Sequence, residues 1–425
     1  MTPKSTINRI LPVLPNIIDK YGTAVFIYDE LGIRKNAERM MKSFSGLDFK
    51  QYFAVKACPN IHILKIMKDL GFGFDCSSPF ELSLARIVGA TPDDIMFTSN
   101  NTSVEMFRRA QEHGGSIINV DDINQIKNIP PPFPELMSFR YNPGKDRSNK
   151  EGGIFDDPSE EKFGVPEDDL LNAYRMAQVF GAWRFGLHTM IVSNELDYQY
   201  HLETIKMLLS IVMILKRELG IQIEFMNIGG GIGIPYKPDD KPFDIKALGL
   251  EATKLCQDFK KENGFVPQLC TESGRYITGP YGVLATRVIN RMKKYKTFIG
   301  VDSNCLSSLV RPAMYGKLGG GYHHITFVDR KDLTVEKDGG DMENVTVVGS
   351  MCEGTDRFAF DRDMVKAEIG DVALCHDAGA HTLAMSGNYN SGLRPPEVLV
   401  RPDGSYLLIS RRETEKDLFQ RMRPI

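Results

Sequence analysis

The feature that most constrains the fold of this chain is an alternation of short apolar segments with amphipathic ones, repeated about eight times. The apolar segments are rich in β-branched and aromatic residues, a pattern typical of strands buried on both faces. These predicted strands are Phe49–Ala57, Phe72–Cys76, Ile95–Ser99, Ser116–Val120, Met137–Tyr141, Arg184–Met190, Ile223–Ile228 and Gln268–Thr271. The predicted helices between them are Ile61–Leu70, Pro79–Val88, Ser103–His113, Asp168–Phe180, Leu202–Leu219 and Leu248–Asn263.

About eight strand–helix units in about 240 residues predict a (β/α)8 barrel of the TIM type. A doubly wound sheet alternates in the same way, but it usually has fewer strands, and no G-x-G-x-x-G turn follows the first strand here. The longer interval 142–184 is predicted to hold a functional loop at the barrel mouth, over 149–163, followed by a helix.

The pattern changes after residue 280, where short apolar segments are separated by Gly and Pro turns such as Gly319–Tyr322. The strands predicted there are Val283–Asn290, Tyr295–Asp302, His323–Val328, Glu343–Gly349, Asp371–Cys375 and Glu397–Arg401. At the start of the chain we predict a helix over Ile7–Tyr21, a strand over Ala24–Tyr28 and a helix over Leu31–Phe44. We therefore predict a barrel domain, 36–280, and an all-β domain, sandwich-like or barrel-like, made of 1–35 plus 281–425 and joined by the N-terminal strand.

Composition excludes several classes of protein. The chain has 425 residues and a net charge of −3, which gives no general attraction to nucleic acid or to anionic membranes. Its first residues contain no signal-peptide apolar region, and no apolar run approaches the ~20 residues of a membrane span. The seven cysteines form no CxxC pair, which is typical of reduced thiols in a cytoplasmic protein. We expect no metal, nucleic-acid or membrane partner.

Lys56 is the most informative residue at the carboxyl ends of the predicted strands, where function concentrates in such barrels. It follows the apolar run Tyr52–Val55. A lysine at the mouth of a buried strand is expected to have a desolvated stem and an amine near its neutral form. Such an amine forms Schiff bases with carbonyl compounds. The alternative is a lysine whose head simply reaches water past the strand end.

Polar residues or glycines stand at most other strand ends, namely Asp75, Arg140, His188, Ser193, Gly229, Gly230, Gly231, Glu272, Gly274 and Arg275. The glycine triplet lets backbone N–H groups approach an anion, and loops after the last two strands form the usual phosphate site of this architecture. A flexible turn is the alternative.

Glu272 and Arg275 are candidates for contacts with a cofactor. The carboxylate is suited to face a pyridine nitrogen, and the guanidinium is suited to bind phosphate or carboxylate, unless the two form a surface ion pair. Arg140 either buttresses Glu272 or belongs to an ordinary ion pair. An amine, a glycine-lined anion loop and a ring-nitrogen carboxylate together indicate pyridoxal phosphate chemistry.

The predicted β domain adds Arg311-Pro-Ala-Met-Tyr315, Cys352-Glu353 and Gly379-Ala380-His381. A Cys-Glu pair in a glycine-containing loop is suited to proton donation, whereas a single cysteine is otherwise often buried filler.

These residues resemble the fold-type III pyridoxal phosphate-dependent decarboxylases, and among them the diaminopimelate decarboxylases. The resemblance covers nearly the whole chain, from Ala24 to Thr414. Its specific motifs are Ala54–Ala57, Phe74–Ser78, Gly229–Gly233, Glu272–Arg275, Arg311–Tyr315, Cys352–Glu353 and Asn388–Asn390.

The resemblance implies an enzyme that decarboxylates meso-2,6-diaminopimelate to L-lysine and CO2 in lysine biosynthesis. Lys56 would form the Schiff base with pyridoxal phosphate, and Cys352 would protonate the substrate Cα across the interface of a head-to-tail homodimer. Other implied cofactor contacts are Asp75, Arg140, His188, Ser193, Gly230, Gly231, Glu272, Gly274, Arg275 and His381. Implied substrate contacts are Arg275, Arg311, Tyr315, Glu353 and His381.

Two positions depart from the family pattern. The sixth strand usually reads His-x-His-x-Gly-Ser, with the second histidine stacked on the cofactor ring, but here Met190 and Val192 replace that histidine and the glycine. The usual Gly-Ala-Tyr ends in His381. A methionine covers a ring apolarly, and an imidazole replaces a phenol as donor. The departures bear on the identity of the substrate and on the phosphate contacts.

Several alternatives share part of this pattern. A related decarboxylase would act on ornithine, lysine, arginine, or a polyamine-like or carrier-bound amino acid. An alanine racemase would need a catalytic tyrosine facing Lys56, and a non-catalytic pyridoxal phosphate carrier would need no β domain. A Schiff-base aldolase on a plain barrel is the remaining alternative.

Overall fold

The computed structural model describes residues 1–147, 157–316 and 321–423. Of the predicted loop over 149–163, residues 149–156 lie outside this description, as do residues 319–320 of the predicted turn. The chain divides into two compact units. The barrel unit comprises Asn36–Ile234 and Lys241–Tyr276, and the sheet unit comprises Met1–Lys35, Pro235–Asp240 and Ile277–Ile425.

The N-terminal segment contains α1 (Lys4–Ile10), a 3-10 turn (Leu11–Val13), α2 (Leu14–Tyr21), β1 (Val25–Asp29) and α3 (Glu30–Ser43). The single helix predicted over Ile7–Tyr21 is therefore wrong in detail. Pro12 and Pro15 each lie in the first turn of a new helical segment. Proline lacks the N–H that a helix interior needs, so it is tolerated there but divides the helix.

The strands and helices of the barrel unit follow in alternation. They are β2 (Phe49–Ala54), α4 (Ile61–Asp69), β3 (Gly73–Cys76), α5 (Pro79–Ile87), β4 (Ile95–Thr98), α6 (Val104–Gln111), β5 (Ile117–Val120), β6 (Leu136–Asn142), β7 (Val165–Pro166), α7 (Glu167–Phe180), β8 (Arg184–Thr189), α8 (Tyr198–Leu219), β9 (Ile223–Asn227), α9 (Ile245–Asn263) and β10 (Gln268–Thr271). The 3-10 turns among them are Val55–Ala57, Pro92–Asp94, Ile123–Asn128, Gly144–Arg147 and Pro158–Glu160.

The barrel is closed and parallel. Its strand order is β5-β4-β3-β2-β10-β9-β8-β6, and a further pairing of β5 with β6 closes the ring, while the short β7 pairs with β6. Each of the eight predicted barrel strands corresponds to one strand of this ring, which confirms the TIM-type barrel. Closure brings the carboxyl ends of all eight strands to one end of the unit.

The sheet unit continues with α10 (Arg275–Thr278, which begins in the barrel unit), a 3-10 turn (Gly279–Tyr281), β11 (Gly282–Lys293), β12 (Thr297–Val301), α11 (Arg311–Tyr315), β13 (Ile325–Val328), β14 (Met342–Val348), β15 (Arg357–Val365), β16 (Val372–Cys375), 3-10 turns at Leu383–Met385 and Tyr389–Ser391, β17 (Glu397–Val400), β18 (Tyr406–Ser410) and α12 (Glu415–Phe419). The strands run in the order β15-β14-β12-β11-β1-β17-β18, with β16 paired to β11 and β13. The mostly-sheet second unit was predicted, but β15 and β18 were missed.

The N-terminal strand lies inside the C-terminal sheet. β1 pairs antiparallel with β11 and parallel with β17. Val25 and Ile27 of β1 are buried in one apolar cluster with Ile10 and Ile17 of the N-terminal helices. The two ends of the chain therefore share one core. Within the described ranges, no helix is long and apolar enough to cross a bilayer.

Candidate active site

Lys56 lies on the 3-10 turn Val55–Ala57 that follows β2, and not on the strand itself. Its Nζ donates to Asp75 Oδ2, on β3, at 2.6 Å and lies 3.5 Å from Ser77 Oγ. Burial alone would lower the pKa of the Lys56 ammonium, but the Asp75 and Glu272 carboxylates outweigh it and raise the pKa to about 12. The expectation of a nearly neutral amine is therefore wrong for the protein without a ligand. The side chain is 48% exposed, so the amine is open to a small molecule.

Glu272 follows β10 and is held from two sides. His188 Nε2, on β8, lies 3.1 Å from its Oε2, and Asn227 Nδ2, at the end of β9, donates to its Oε1 at 2.8 Å. Burial alone would raise the pKa of Glu272, but the contact with His188 and the charges of Lys56 and Arg140 lower it. The group is therefore an ionised carboxylate in a fixed orientation at neutral pH. With Glu272 5% and Arg275 8% exposed, a surface ion pair between them is excluded.

Arg140, on β6, is committed to other partners. Its Nη1 lies 3.3 Å from Asp121 Oδ1, and its Nη2 donates to the Met190 carbonyl at 2.7 Å. Its positive charge helps to lower the pKa of Glu272 without a hydrogen bond between the two in this geometry. Of the two alternatives for Arg140, the structure favours the ion pair. Arg140 thereby fixes the backbone at the end of β8.

The glycine loop after β9 requires the absence of side chains. Gly229 and Gly231 have φ of +73° and +87°, a region that favours glycine. A Cβ on Gly230 would lie 2.9 Å from the Glu272 carbonyl oxygen. The turn after Glu272 is equally tight, because a Cβ on Gly274 would lie 2.5 Å from Ala57 Cβ. Both turns therefore bring main chain, not side chains, next to Lys56 and Glu272.

Ser193 and Met190 line the same loops. Arg275 Nη2 lies 3.4 Å from Ser193 Oγ, and the Gly230 N–H points to Met190 Sδ at 3.1 Å. Met190 thus lies beside the glycine loop, where the family usually has a histidine. The structure brings ten predicted residues together at this end of the barrel: Lys56, Asp75, Arg140, His188, Ser193, Gly230, Gly231, Glu272, Gly274 and Arg275.

The donor set of this cluster fits pyridoxal phosphate. Two buried polar atoms, Asp75 Oδ1 and His188 Nδ1, have no hydrogen-bond partner among the described residues. A buried atom left unpaired costs ~1–3 kcal/mol, so such atoms are expected where a polar ligand binds. An amine for an aldehyde, a fixed carboxylate for a ring nitrogen and a glycine-lined loop for a phosphate complete the match.

The remaining predicted site residues belong to the sheet unit. The Arg311 guanidinium is buried, at 2% exposure, and lies 4.8 Å from the Tyr236 ring and 5.8 Å from the Tyr315 ring. Cys352 is exposed, so the alternative of buried filler is wrong. Glu353 accepts hydrogen bonds from the backbone N–H and hydroxyl of Thr355.

His381 has a φ of +54° and is half-buried. That it and Cys352 act on the cofactor or substrate stays a prediction.

Two partners in the barrel site were not predicted. Asp121 pairs with Arg140, and Asn227 joins Glu272 to the glycine loop. A signal for Asn227 was present, since it is a polar residue at the end of an apolar strand directly before the glycine triplet. Asp121 likewise follows the predicted strand Ser116–Val120 directly.

Comparisons with known proteins agree with this chemistry. Residues 31–279 match the family model described as the pyridoxal-binding domain of pyridoxal-dependent decarboxylases. The chain is 39% identical to Protein TabA of Pseudomonas amygdali pv. tabaci, covering 97% of this chain and 94% of that protein. It is 37% identical to a diaminopimelate decarboxylase of Methanothermobacter thermautotrophicus, covering 95% and 92%.

Among solved structures, diaminopimelate decarboxylase from M. jannaschii in complex with L-lysine superposes with a TM-score of 0.86 at 28% identity, covering 96% of this chain and 94% of that one. The family match spans more than half of the chain, and the relatives span nearly all of it. The chain therefore belongs to the fold-type III pyridoxal phosphate-dependent amino-acid decarboxylases.

Proposed function

We propose that this decarboxylase converts meso-2,6-diaminopimelate to L-lysine and CO2 in lysine biosynthesis. The observation that carries the proposal is the buried guanidinium of Arg311 between Tyr236 and Tyr315. A desolvated cation binds a distal carboxylate strongly and repels the distal ammonium of lysine or ornithine. Support also comes from the relatives named diaminopimelate decarboxylase and from the M. jannaschii enzyme in complex with L-lysine.

In the barrel unit, Lys56 would hold the cofactor through its aldehyde, and Asp75 controls the charge of the Lys56 amine through the 2.6 Å contact. Glu272 would hold the ring nitrogen and favour its protonated form. Gly230 and Gly231, with the Gly274–Arg275 turn and Ser193, would hold the phosphate. His188 and Arg140 support Glu272 by hydrogen bond and by charge. Bound pyridoxal phosphate supplies the electron sink that accepts the electron pair of the broken Cα–carboxylate bond.

In the sheet unit, Arg311, Tyr315 and Glu353 bind the distal amino-acid end of the substrate, together with Arg275 and His381. Holding the distal end of the substrate would restrict its rotation and so fix the orientation of the scissile Cα–carboxylate bond. The thiol of Cys352, exposed and therefore available, delivers the proton to Cα.

The proposal includes an assembly and a location. A homodimer would bring Cys352 to the barrel site of the other subunit, so that active sites lie at the interface. We assign residues 36–280 to the cofactor-binding domain and residues 1–35 with 281–425 to the β domain. All seven cysteines are free thiols, which supports the reducing cytoplasm as the location.

The test is CO2 release by the purified enzyme, loaded with pyridoxal phosphate, on meso-diaminopimelate, L-lysine, L-ornithine and L-arginine. We expect release from meso-diaminopimelate with L-lysine as product, and little from the three others. Arg311→Met should raise KM for meso-diaminopimelate and narrow its advantage over L-lysine. Faster release from L-ornithine, L-lysine or L-arginine would contradict the proposal.

A second candidate is a related amino acid, including a polyamine-like or carrier-bound one, as substrate of the same reaction. This candidate is supported by the 39% identity to TabA and by Met190 and His381, which depart from the family pattern. Turnover of such a substrate, with none of meso-diaminopimelate, would decide for this candidate.

A further inference from the structure

Asn227 is the last residue of β9, and its side chain is fully buried between two parts of the cofactor site. Its Oδ1 accepts from the Gly229 N–H at 2.9 Å, and its Nδ2 donates to Glu272 Oε1 at 2.8 Å. One amide therefore links the glycine loop after β9 to the carboxylate after β10.

The orientation of this amide follows from its partners. A backbone N–H only donates, so the Gly229 N–H needs the amide oxygen. The amide nitrogen is then left to face Glu272, which accepts because it is ionised. Both hydrogen bonds form in only one orientation of the amide. Turning it over would place the amide N–H2 against the Gly229 N–H and the amide oxygen against the Glu272 carboxylate.

The two oxygens of Glu272 are held by different strands. His188 of β8 lies against Oε2, and Asn227 of β9 lies against Oε1. A carboxylate fixed through both oxygens keeps its plane, while its further lone pairs stay available to a ring N–H. A donor to a buried carboxylate is one of the stronger hydrogen bonds in proteins.

We propose that Asn227 is a positioning residue that holds Glu272 and the glycine loop in fixed relation, so that one buried amide aligns the two ends of the cofactor site. The inference rests on the roles proposed above for Glu272 and the glycine loop. Asn227 touches neither substrate nor reacting atoms in this role. Its loss would loosen the ring-nitrogen contact and the phosphate cradle together.

The test compares two variants of the full-length protein. Asn227→Ala removes both hydrogen bonds, together with the contact of Nδ2 with Met96 Sδ at 3.2 Å. Asn227→Asp keeps an acceptor for Gly229 but sets a carboxylate oxygen against Glu272 Oε1, so it breaks only the contacts of the amide nitrogen. If Asn227 merely shaped the strand end, Asn227→Asp would weaken cofactor affinity equally in the wild-type and Glu272→Gln backgrounds. The matched control is Asn119→Ala, since Asn119 is a buried barrel asparagine that hydrogen-bonds Thr98 and, among the described residues, makes no hydrogen bond to Gly229 or Glu272.

The first readout is the dissociation constant of pyridoxal phosphate, titrated into apo-protein and followed by absorbance. It does not depend on which amino acid is the substrate, so failure of the diaminopimelate assignment would leave it interpretable. We expect Asn227→Ala and Asn227→Asp each to weaken cofactor affinity by about tenfold to hundredfold, the range for one hydrogen bond to a charged group. Asn119→Ala should stay within about twofold of wild type. Melting of the apo-proteins identifies any variant that fails to fold.

The second readout is a double-mutant cycle with Glu272→Gln. Because Asn227 acts through Glu272, Asn227→Asp should weaken cofactor affinity far less in the Glu272→Gln background than in wild type. With saturating cofactor, kcat should fall in both Asn227 variants while KM stays within about twofold. Wild-type affinity and kcat in Asn227→Asp, or additive losses in the cycle, would overturn the inference. If Glu272→Gln binds pyridoxal phosphate with wild-type affinity, Glu272 does not have the role proposed above, and the inference about Asn227 falls with it.

Discussion

Replacing Asp75 with asparagine removes the charge that sets the protonation of Lys56 while keeping the shape of the side chain. The pKa of Lys56 is raised from its ordinary 10.5 to about 12, although burial alone would lower it. The Asp75 charge is the largest of those that oppose burial, so without the 2.6 Å ion pair the pKa should fall back toward its ordinary 10.5. A fall of about 1.5 multiplies the neutral amine by about thirtyfold at any pH well below both values.

The neutral amine is the form that attacks an aldehyde, so the rate of pyridoxal phosphate addition to apo-protein measures this population. In stopped-flow absorbance, the wild-type rate should rise about tenfold per pH unit from neutral pH to about 10.5. The Asp75→Asn rate should be about thirtyfold higher near neutral pH and level off near 10.5. Asp69→Asn, which removes an exposed carboxylate paired with Lys65, is the control and should follow wild type. Superimposable profiles for Asp75→Asn and wild type would show that Asp75 does not raise the pKa of Lys56.

Three further predictions concern packing, buried charge and proton delivery. Gly274→Ala places a Cβ 2.5 Å from Ala57 Cβ and should lower the free energy of unfolding in urea by about 1–3 kcal/mol. In the control Gly387→Ala the new Cβ meets no atom within 4 Å, so the free energy of unfolding should fall far less. Equal losses in the two variants would contradict this prediction. Burial lowers the pKa of His201 to about 3, so the stability that it contributes is complete above about pH 6.5 and is lost as pH falls toward 3, about 2 kcal/mol by pH 5. His201→Gln should reduce the loss of unfolding free energy between pH 7 and pH 5, and an unchanged loss would refute the assignment. Cys352→Ala should keep the absorbance of bound cofactor while kcat falls about 10²–10⁴-fold, and a normal kcat would show that another group delivers the proton.

The barrel could be predicted from the sequence because its strands are buried on both faces and read as continuous apolar runs. The same property made the end of β2 hard to predict. Val55 and Ala57 are as buried as the strand before them, so the 3-10 turn that carries Lys56 looked like more strand. β15 was missed for the opposite reason, since its second half, around Asp361 and Asp363, is charged and exposed. The apolar pattern of a sequence predicts which residues are buried, and it gives the wrong secondary structure where a buried residue is not in a strand or a strand residue is exposed.

The residue types of the cofactor site were also predictable, because they stand at successive strand ends that closure of the barrel brings together. Their pairing was not. Whether Arg140 meets Glu272 or Asp121 depends on side-chain reach across the barrel, and the charge of Lys56 depends on a 2.6 Å contact with Asp75. Desolvation of the lysine alone gave the wrong direction for its pKa, because the Asp75 and Glu272 carboxylates together outweigh it.

Lys56 is proposed to be the amine that bonds pyridoxal phosphate at the mouth of the barrel. Borohydride reduction of the cofactor-loaded enzyme, followed by digestion and mass spectrometry, identifies this amine, because reduction fixes the cofactor on the lysine that holds it. We expect one pyridoxyl group per chain, on the peptide that contains Lys56, and none in Lys56→Ala. A pyridoxyl group on any other lysine, with Lys56 unmodified, would contradict it.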